Sequence, residues 1–331
     1  MKYTLKPINE QVMVITGASS GIGLTTARMA ARRGARVVLA ARSEEALSRI
    51  SSEIGPNCTF VACDVGKEED LERVAQHANS HFGGFDTWVN NAGVSIYGKL
   101  LEIPLEDQRR LFETNFWGVV QGSRIACKHL RRTGGALINV GSTVSDRAIP
   151  IQGIYSASKH AVKGYTDALR MELEEAQAPI SVTLIKPGAI ATPYIDHAKN
   201  YMDQKPSLPP PVYAPENVAK AILHCAQNAT RDMFVGAGGK GISALGKYAP
   251  RLTDKFMIKT QFEQQKRGEA EEPRRDGLYG ATNDPRERGP YPGHVMETSY
   301  YTTAAMHPMM TGALLLAVGL VASHLVKSRR D

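Results

Sequence analysis

Apolar residues fall into short solid runs along the chain, at 11–16 (QVMVIT), 35–40 (ARVVLA), 58–63, 86–90, 136–140 (ALINV), 180–185 (ISVTLI) and 233–235. A solid run of this length bounded by turn residues reads as a strand buried on both faces, the environment of a parallel sheet. Between the runs, the pattern turns helical. It predicts helices from a glycine-rich turn to about Arg33, from Ser43 as N-cap to about Ile54, up to about Phe82, over 105–114 and 116–132, through Tyr155 to about Ala176, and from Pro215 to about Asn228. Strands alternating with helices indicate βαβ units, so residues 1–236 form one α/β domain around a parallel sheet.

Two stretches break the alternation. Residues 192–212 are rich in proline and polar side chains and read as a mobile loop or lid. Beyond Gly236 the character changes altogether. Residues 240–266 look helical in two pieces broken near Pro250, and 267–292 mix charges of both signs with glycine and proline, as an exposed irregular segment would. The division is therefore an α/β domain (1–236), a helical and irregular extension (237–306) and an apolar terminal segment (307–331).

Within that last segment, 309–326 is almost purely apolar and would make a helix ~27 Å long, just under a ~30 Å hydrocarbon core. Lys327, Arg329 and Arg330 follow it, and the positive-inside rule would then put the domain across the membrane, with no apolar leader near residue 1 to send it there. The expectation that resolves the conflict is a tail anchor or shallow interfacial helix, with the α/β domain on the cytoplasmic face of a membrane. A soluble cytoplasmic protein with a packing helix is the alternative.

Composition adds little but excludes something. With 42% hydrophobic and 22% charged residues, the 331-residue chain can bury a sizeable core. The net charge is +7, yet Lys and Arg are spread without a basic block, which argues against a nucleic-acid partner. The four cysteines, Cys58, Cys63, Cys127 and Cys225, have no metal-ligand spacing and read as buried thiols. Cys58 and Cys63 should face opposite sides of their strand.

The chemistry starts at TGASSGIG, residues 16–23. Between a buried strand and a helix, this loop supplies positive-φ turns, close backbone approach and the positive end of a helix dipole for a pyrophosphate. Arg42 stands at the end of the second strand, where an acidic residue would bind the ribose 2′-hydroxyl of NAD and an arginine accommodates the 2′-phosphate of NADP. NADP(H) is therefore favoured over NAD(H). Tyr155 and Lys159 lie one helical turn apart, so the ammonium can favour the phenolate. Ser142 precedes them across a loop.

These residues resemble the short-chain dehydrogenase/reductase family: TGASSGIG, Asp64-Val65, NNAG at 90–93, Asn115, Ser142, YSASK at 155–159, and Pro187-Gly188 with Thr192, in family order over about residues 10–236. The resemblance implies a doubly wound parallel Rossmann sheet with cofactor and substrate in one domain. It implies that Tyr155 transfers a proton, Ser142 holds the substrate oxygen, Lys159 binds the nicotinamide ribose and lowers the phenol pKa, and Asn115 maintains a helix kink and proton-resupplying waters. The cofactor would lie on Gly17, Ser19, Ser20, Gly21, Ile22 and Gly23, with Asp64 and Val65 at the adenine, Asn91, Ala92 and Gly93 near the ribose, and Pro187, Gly188 and Thr192 at the nicotinamide. No metal is required. His160 points elsewhere and reads as structural.

The expected activity is carbonyl–alcohol interconversion, with a catalytically silent dinucleotide sensor or scaffold as the alternative. Tyr194, Ile195, Tyr201, Met202 and Leu208, with Ile96, Ala148, Ile149, Ile151 and Ile154, should line an apolar substrate pocket. Helices 116–132 and 153–176 should form a homodimer or homotetramer interface.

Overall fold

The computed structural model describes residues 4–271, 274–312 and 316. Its centre is a parallel sheet of seven strands: β1 (Val12–Thr16), β2 (Arg36–Ala41), β3 (Cys58–Ala62), β4 (Thr87–Asn90), β5 (Gly135–Val140), β6 (Ile180–Pro187) and β7 (Asp232–Val235). Their spatial order is β7-β6-β5-β4-β1-β2-β3. The chain winds outwards both ways from β1, leaving a crevice beyond the carboxyl ends of β1 and β4, the switch point where doubly wound sheets bind ligands.

Both faces are buried, as the solid runs predicted. Met13, Ile15, Val37 and Leu39 pack against Leu24 and Ala27 of helix α1 (Gly21–Arg32) on one face. Val12, Val14, Val38 and Ala40 meet Leu71 and Val74 of the helix Glu68–Phe82 on the other. Alternate residues of one strand thus serve two cores. Cys58 joins the first core and Cys63 the second, and burial pushes their thiols up to about 11 and about 12. Ser43 caps the helix Glu44–Ile54 by accepting from the Ala46 amide.

The two helices expected at 105–132 are joined into one path. Leu105–Phe112 and Gly118–Thr133 are connected by a π turn, Glu113–Trp117, that carries Asn115. A widened turn of this kind is common where a helix must aim a side chain at a site. The long helix Gly153–Glu175 carries Tyr155 and Lys159.

Two expectations need correction. Residues 192–212 are not an open loop: Ile195, Ala198, Leu208 and Val212 form a buried cluster. What covers them is the extension, whose strand Lys266–Ala270 runs antiparallel to Gln204–Pro206, while Val295–Met296 pairs with Val212–Tyr213. The second correction follows from the first, since 267–292 is not uniformly exposed. Leu278 is fully buried. The predicted break near Pro250 is present between Ala237–Tyr248 and Pro250–Gln264. The expected anchor at 309–326 lies largely outside the described residues; among the described residues no helix is long and apolar enough to cross a membrane.

Candidate active site

The glycine-rich loop and the NNAG loop form one cradle. Gly17 adopts φ +65°, and a Cβ there would stand 2.7 Å from Ala92 Cα, so only glycine permits the contact. Thr16 Oγ1 accepts from the amides of Asn91 (3.0 Å) and Ala92 (3.1 Å). The Asn91 side-chain amide donates to Thr16 O at 2.9 Å. Thr16 is thus the hinge pin of the cradle, a role that its place at the strand end does not reveal in the sequence.

Two adjoining cavities open beside this cradle. The outer one, about 180 Å³, is walled by Gly17, Ser19, Ser20, Gly21, Arg42, Asp64, Val65 and Ala92. The inner one, about 240 Å³, holds Ser142, Tyr155, Lys159, Pro187 and Gly188. Ile22, Asn91, Gly93, Thr192 and Tyr194 border both. A dinucleotide suits this donor set: an arginine at one end, a helix N-terminus and a small-residue cradle in the middle, and a buried ammonium at the other.

At the inner end, Ser142 caps the short turn Thr143–Ser145, accepting from the Val144 amide at 3.3 Å and donating to Pro187 O at 3.4 Å. Its hydroxyl is therefore fixed before anything binds. Lys159 is buried, and its ammonium donates to Val140 O at 2.9 Å. Withdrawal from water lowers its pKa to about 8. Tyr155 does not have the lowered pKa expected of it. Desolvation raises it, outweighing hydrogen bonds with the Tyr194 and Ser142 hydroxyls. The reason is geometric: Lys159 Nζ lies 5.7 Å from the phenol ring centroid, engaged by a carbonyl.

Asn115 is fully buried behind Gly93. Its Oδ1 accepts from the Val94 amide (2.8 Å) and its Nδ2 donates to Val94 O (2.9 Å) and Ser158 Oγ (3.2 Å). It supports the wall and does not line either cavity. Gly23 is also withdrawn: a Cβ there would lie 2.2 Å from Gly17 O, so it serves the packing of α1 on the loop. His160 is exposed, with Nδ1 2.8 Å from Ser156 O.

At the outer end, burial pushes the Asp64 carboxyl up, but hydrogen bonds from the Gly66 amide and Arg110 win and hold it below its ordinary value. The Arg110 contact is 2.6 Å. Arg42 donates to Gly277 O at 2.5 Å and Leu278 O at 3.5 Å.

Of the expected pocket-lining residues, Tyr194, Leu208 and Ile149 reach the inner cavity. Ile195, Met202 and Ile151 belong to the cluster beneath it, and Ile96, Ile154 and Tyr201 to a neighbouring one. Ala148 is exposed. The wall instead includes Gln152, Tyr213, and Ile242, Met257 and Gln261 from the extension. The last three carry no motif, and only the helical spacing of Thr253, Met257 and Gln261, all buried, hinted at an inward face.

A short chain dehydrogenase family model matches residues 11–202, and the chain belongs to that family, whose members are NAD(P)-dependent oxidoreductases. It is 49% identical over 328 residues to an uncharacterized oxidoreductase, YxnA, of Bacillus subtilis, covering 97% of this chain and 92% of that one. A short chain dehydrogenase from Burkholderia cenocepacia, solved in complex with NADP, superposes with a TM-score of 0.66 at 27% identity, over 76% of this chain and 99% of that one. A 3-ketoacyl-(acyl-carrier-protein) reductase from Brucella melitensis, complexed with NADH, gives 0.62 at 28% identity, over 70% and 99%.

Proposed function

We propose that this oxidoreductase uses NADP(H) to interconvert a carbonyl and a secondary alcohol on an apolar substrate, with Tyr155 as the proton donor and acceptor. The observation that carries the reading is the convergence of Ser142, Tyr155 and Lys159 on the inner cavity.

When bound, the cofactor supplies or accepts the hydride. The chain's part is positioning and proton transfer. Ser142, its oxygen held by its own turn, swings its hydroxyl proton from Pro187 O to the substrate oxygen. Tyr155 gives its hydroxyl proton to that oxygen in the reductive direction and recovers one in the oxidative direction. Lys159 keeps a positive charge 5.7 Å from the phenol ring, too distant and too engaged with Val140 O to lower the resting pKa, and the phenolate formed during turnover is the anion that this charge would favour. At the other end, Arg42 supports a preference for the 2′-phosphate, because a guanidinium pairs with phosphate oxygens in a planar fork. Support for an apolar substrate comes from Ile149, Leu208, Ile242 and Met257 in the wall.

We also infer assembly as a homodimer or homotetramer through the stretches 116–132 and 153–176, on which Trp117 and Met171 are 46% and 60% exposed. The test of function is NADPH oxidation by purified protein with a panel of hydrophobic ketones and aldehydes. Turnover that disappears in Tyr155→Phe supports the reading. NADPH binding with no turnover of any carbonyl would favour a dinucleotide sensor.

A further inference from the structure

The extension does more than roof the substrate pocket. Residues 276–279, outside the matched family region, run along the outer cavity, where Gly277 forms part of the wall. They are fastened at several points. The Gly277 amide donates to His197 O at 2.7 Å. The Leu278 side chain is fully buried with Val94, Ile96, Ile103 and Leu111, in the cluster against which the Tyr155 ring packs. Tyr279 donates its hydroxyl to Asp107 Oδ1 at 2.6 Å. Asp107, 2% exposed, is also held by Lys199 at 2.8 Å and by the Tyr201 hydroxyl. Further along, Arg286 O accepts from the Gly21 amide at 2.9 Å, a second seam at the start of α1.

Two arginines meet this segment. Arg42 donates to the Gly277 and Leu278 carbonyls, and Arg110 Nε donates to Leu278 O at 3.2 Å. Arg110 also ties up the Asp64 carboxylate, one of the two anions, with Asp276, whose charge acts on Arg42. Carbonyl dipoles orient a guanidinium without cancelling its charge, whereas a carboxylate would cancel it. Left unfastened, a long arginine side chain also loses its orientation to rotamer freedom.

We propose that residues 276–279 are a clasp built into the cofactor site, which positions Arg42 and Arg110 and so sets discrimination between dinucleotides with and without a 2′-phosphate. Leu278 and Tyr279 are positioning residues. The inference rests on the reading that the cleft takes NADP(H), and the two fail in different ways.

The experiment is fluorescence titration of the full-length protein with NADPH and with NADH, without substrate. The proteins compared are wild type, Leu278→Ala, Tyr279→Phe and Arg42→Ala, each checked for native circular dichroism. The expected result is that Leu278→Ala shifts the ratio of the two dissociation constants about tenfold towards NADH, and Tyr279→Phe about threefold, the scale of one charge-assisted contact weakened or misaligned. A general loss of folding quality would weaken both cofactors alike. A wild type that binds NADH as well as NADPH counts against the NADP(H) reading. A changed ratio in the clasp variants still upholds the clasp in that case. The clasp is overturned if the folded variants keep the wild-type ratio. Should Leu278→Ala not fold, Tyr279→Phe decides alone, because it removes one hydroxyl from a half-exposed ring.

Discussion

The helix Gly153–Glu175 and the segment 276–279 both serve the same cleft, but they do so by different means. The helix presents side chains: Tyr155 and Lys159 face the inner cavity one turn apart. The segment presents backbone: it is the carbonyls of Gly277 and Leu278 that hold Arg42. The helix is fixed by its own hydrogen bonds, whereas the segment is fixed by its neighbours, through the Gly277–His197 backbone bond, the Arg110–Leu278 bond, the buried Leu278 and the Tyr279–Asp107 bond. The proposed chemistry therefore sits on the element that holds itself, and the proposed selection among cofactors on the one held by its neighbours. The contrast predicts that damage to the first should lower turnover and damage to the second should change cofactor choice.

The sharpest break of the comparison comes from Ser142→Ala. Removing a fixed hydroxyl donor to the reacting oxygen should lower kcat about 10²–10³-fold while leaving the NADPH dissociation constant unchanged. A rise in KM with unchanged kcat would move Ser142 from the chemistry to binding. Arg42→Asp acts on the other region. Loss of a charge-assisted fork and gain of repulsion should weaken NADPH about 10–100-fold relative to NADH, with kcat at saturating NADH preserved. Unchanged discrimination would show that the carbonyls of the extension satisfy Arg42 for structural reasons alone.

A pH profile separates the two titratable groups of the inner end. Burial holds Tyr155 above its ordinary value near 10, so the proton donor stays protonated across pH 6–9. Lys159, lowered to about 8, is charged below that pH and loses its charge above it. Carbonyl reduction should then be flat below pH 8 and fall by up to about tenfold per unit above it. A reductive rate that rises through pH 8 contradicts this assignment. The smallest effect belongs to neither region. Ser43→Ala removes a helix cap together with one hydroxyl from the wall of the outer cavity, and should cost about 1 kcal/mol in denaturant unfolding with cofactor discrimination intact. A changed NADPH preference there would show that Arg42 depends on its neighbour's turn and not on the extension.

What was legible in the sequence follows the same division. Seven strands could be read because each is a solid apolar run, and the cradle and inner end could be read because glycines and hydroxyls at fixed spacing announce them. The opposite faces of Cys58 and Cys63 followed from strand geometry alone. Three features were hidden for physical reasons. Residues 192–212 looked mobile because proline and polar residues dominate them, yet their apolar minority is buried under strands that arrive from the end of the chain. The phenol pKa was read from helical spacing, which says nothing of how far burial outweighs a nearby charge. The clasp was invisible because backbone carbonyls carry no sequence signature, and a lone Leu278-Tyr279 pair between glycines is a weak pattern within a charged stretch.

The most direct test of the proposed chemistry is kcat and NADPH affinity measured side by side for wild type and Tyr155→Phe. The substitution removes one hydroxyl and leaves the ring packed beside Leu278 and Tyr194. Proton transfer by Tyr155 predicts loss of turnover to background, with the NADPH dissociation constant within about twofold of wild type. A phenylalanine variant that retains near wild-type kcat would contradict the account.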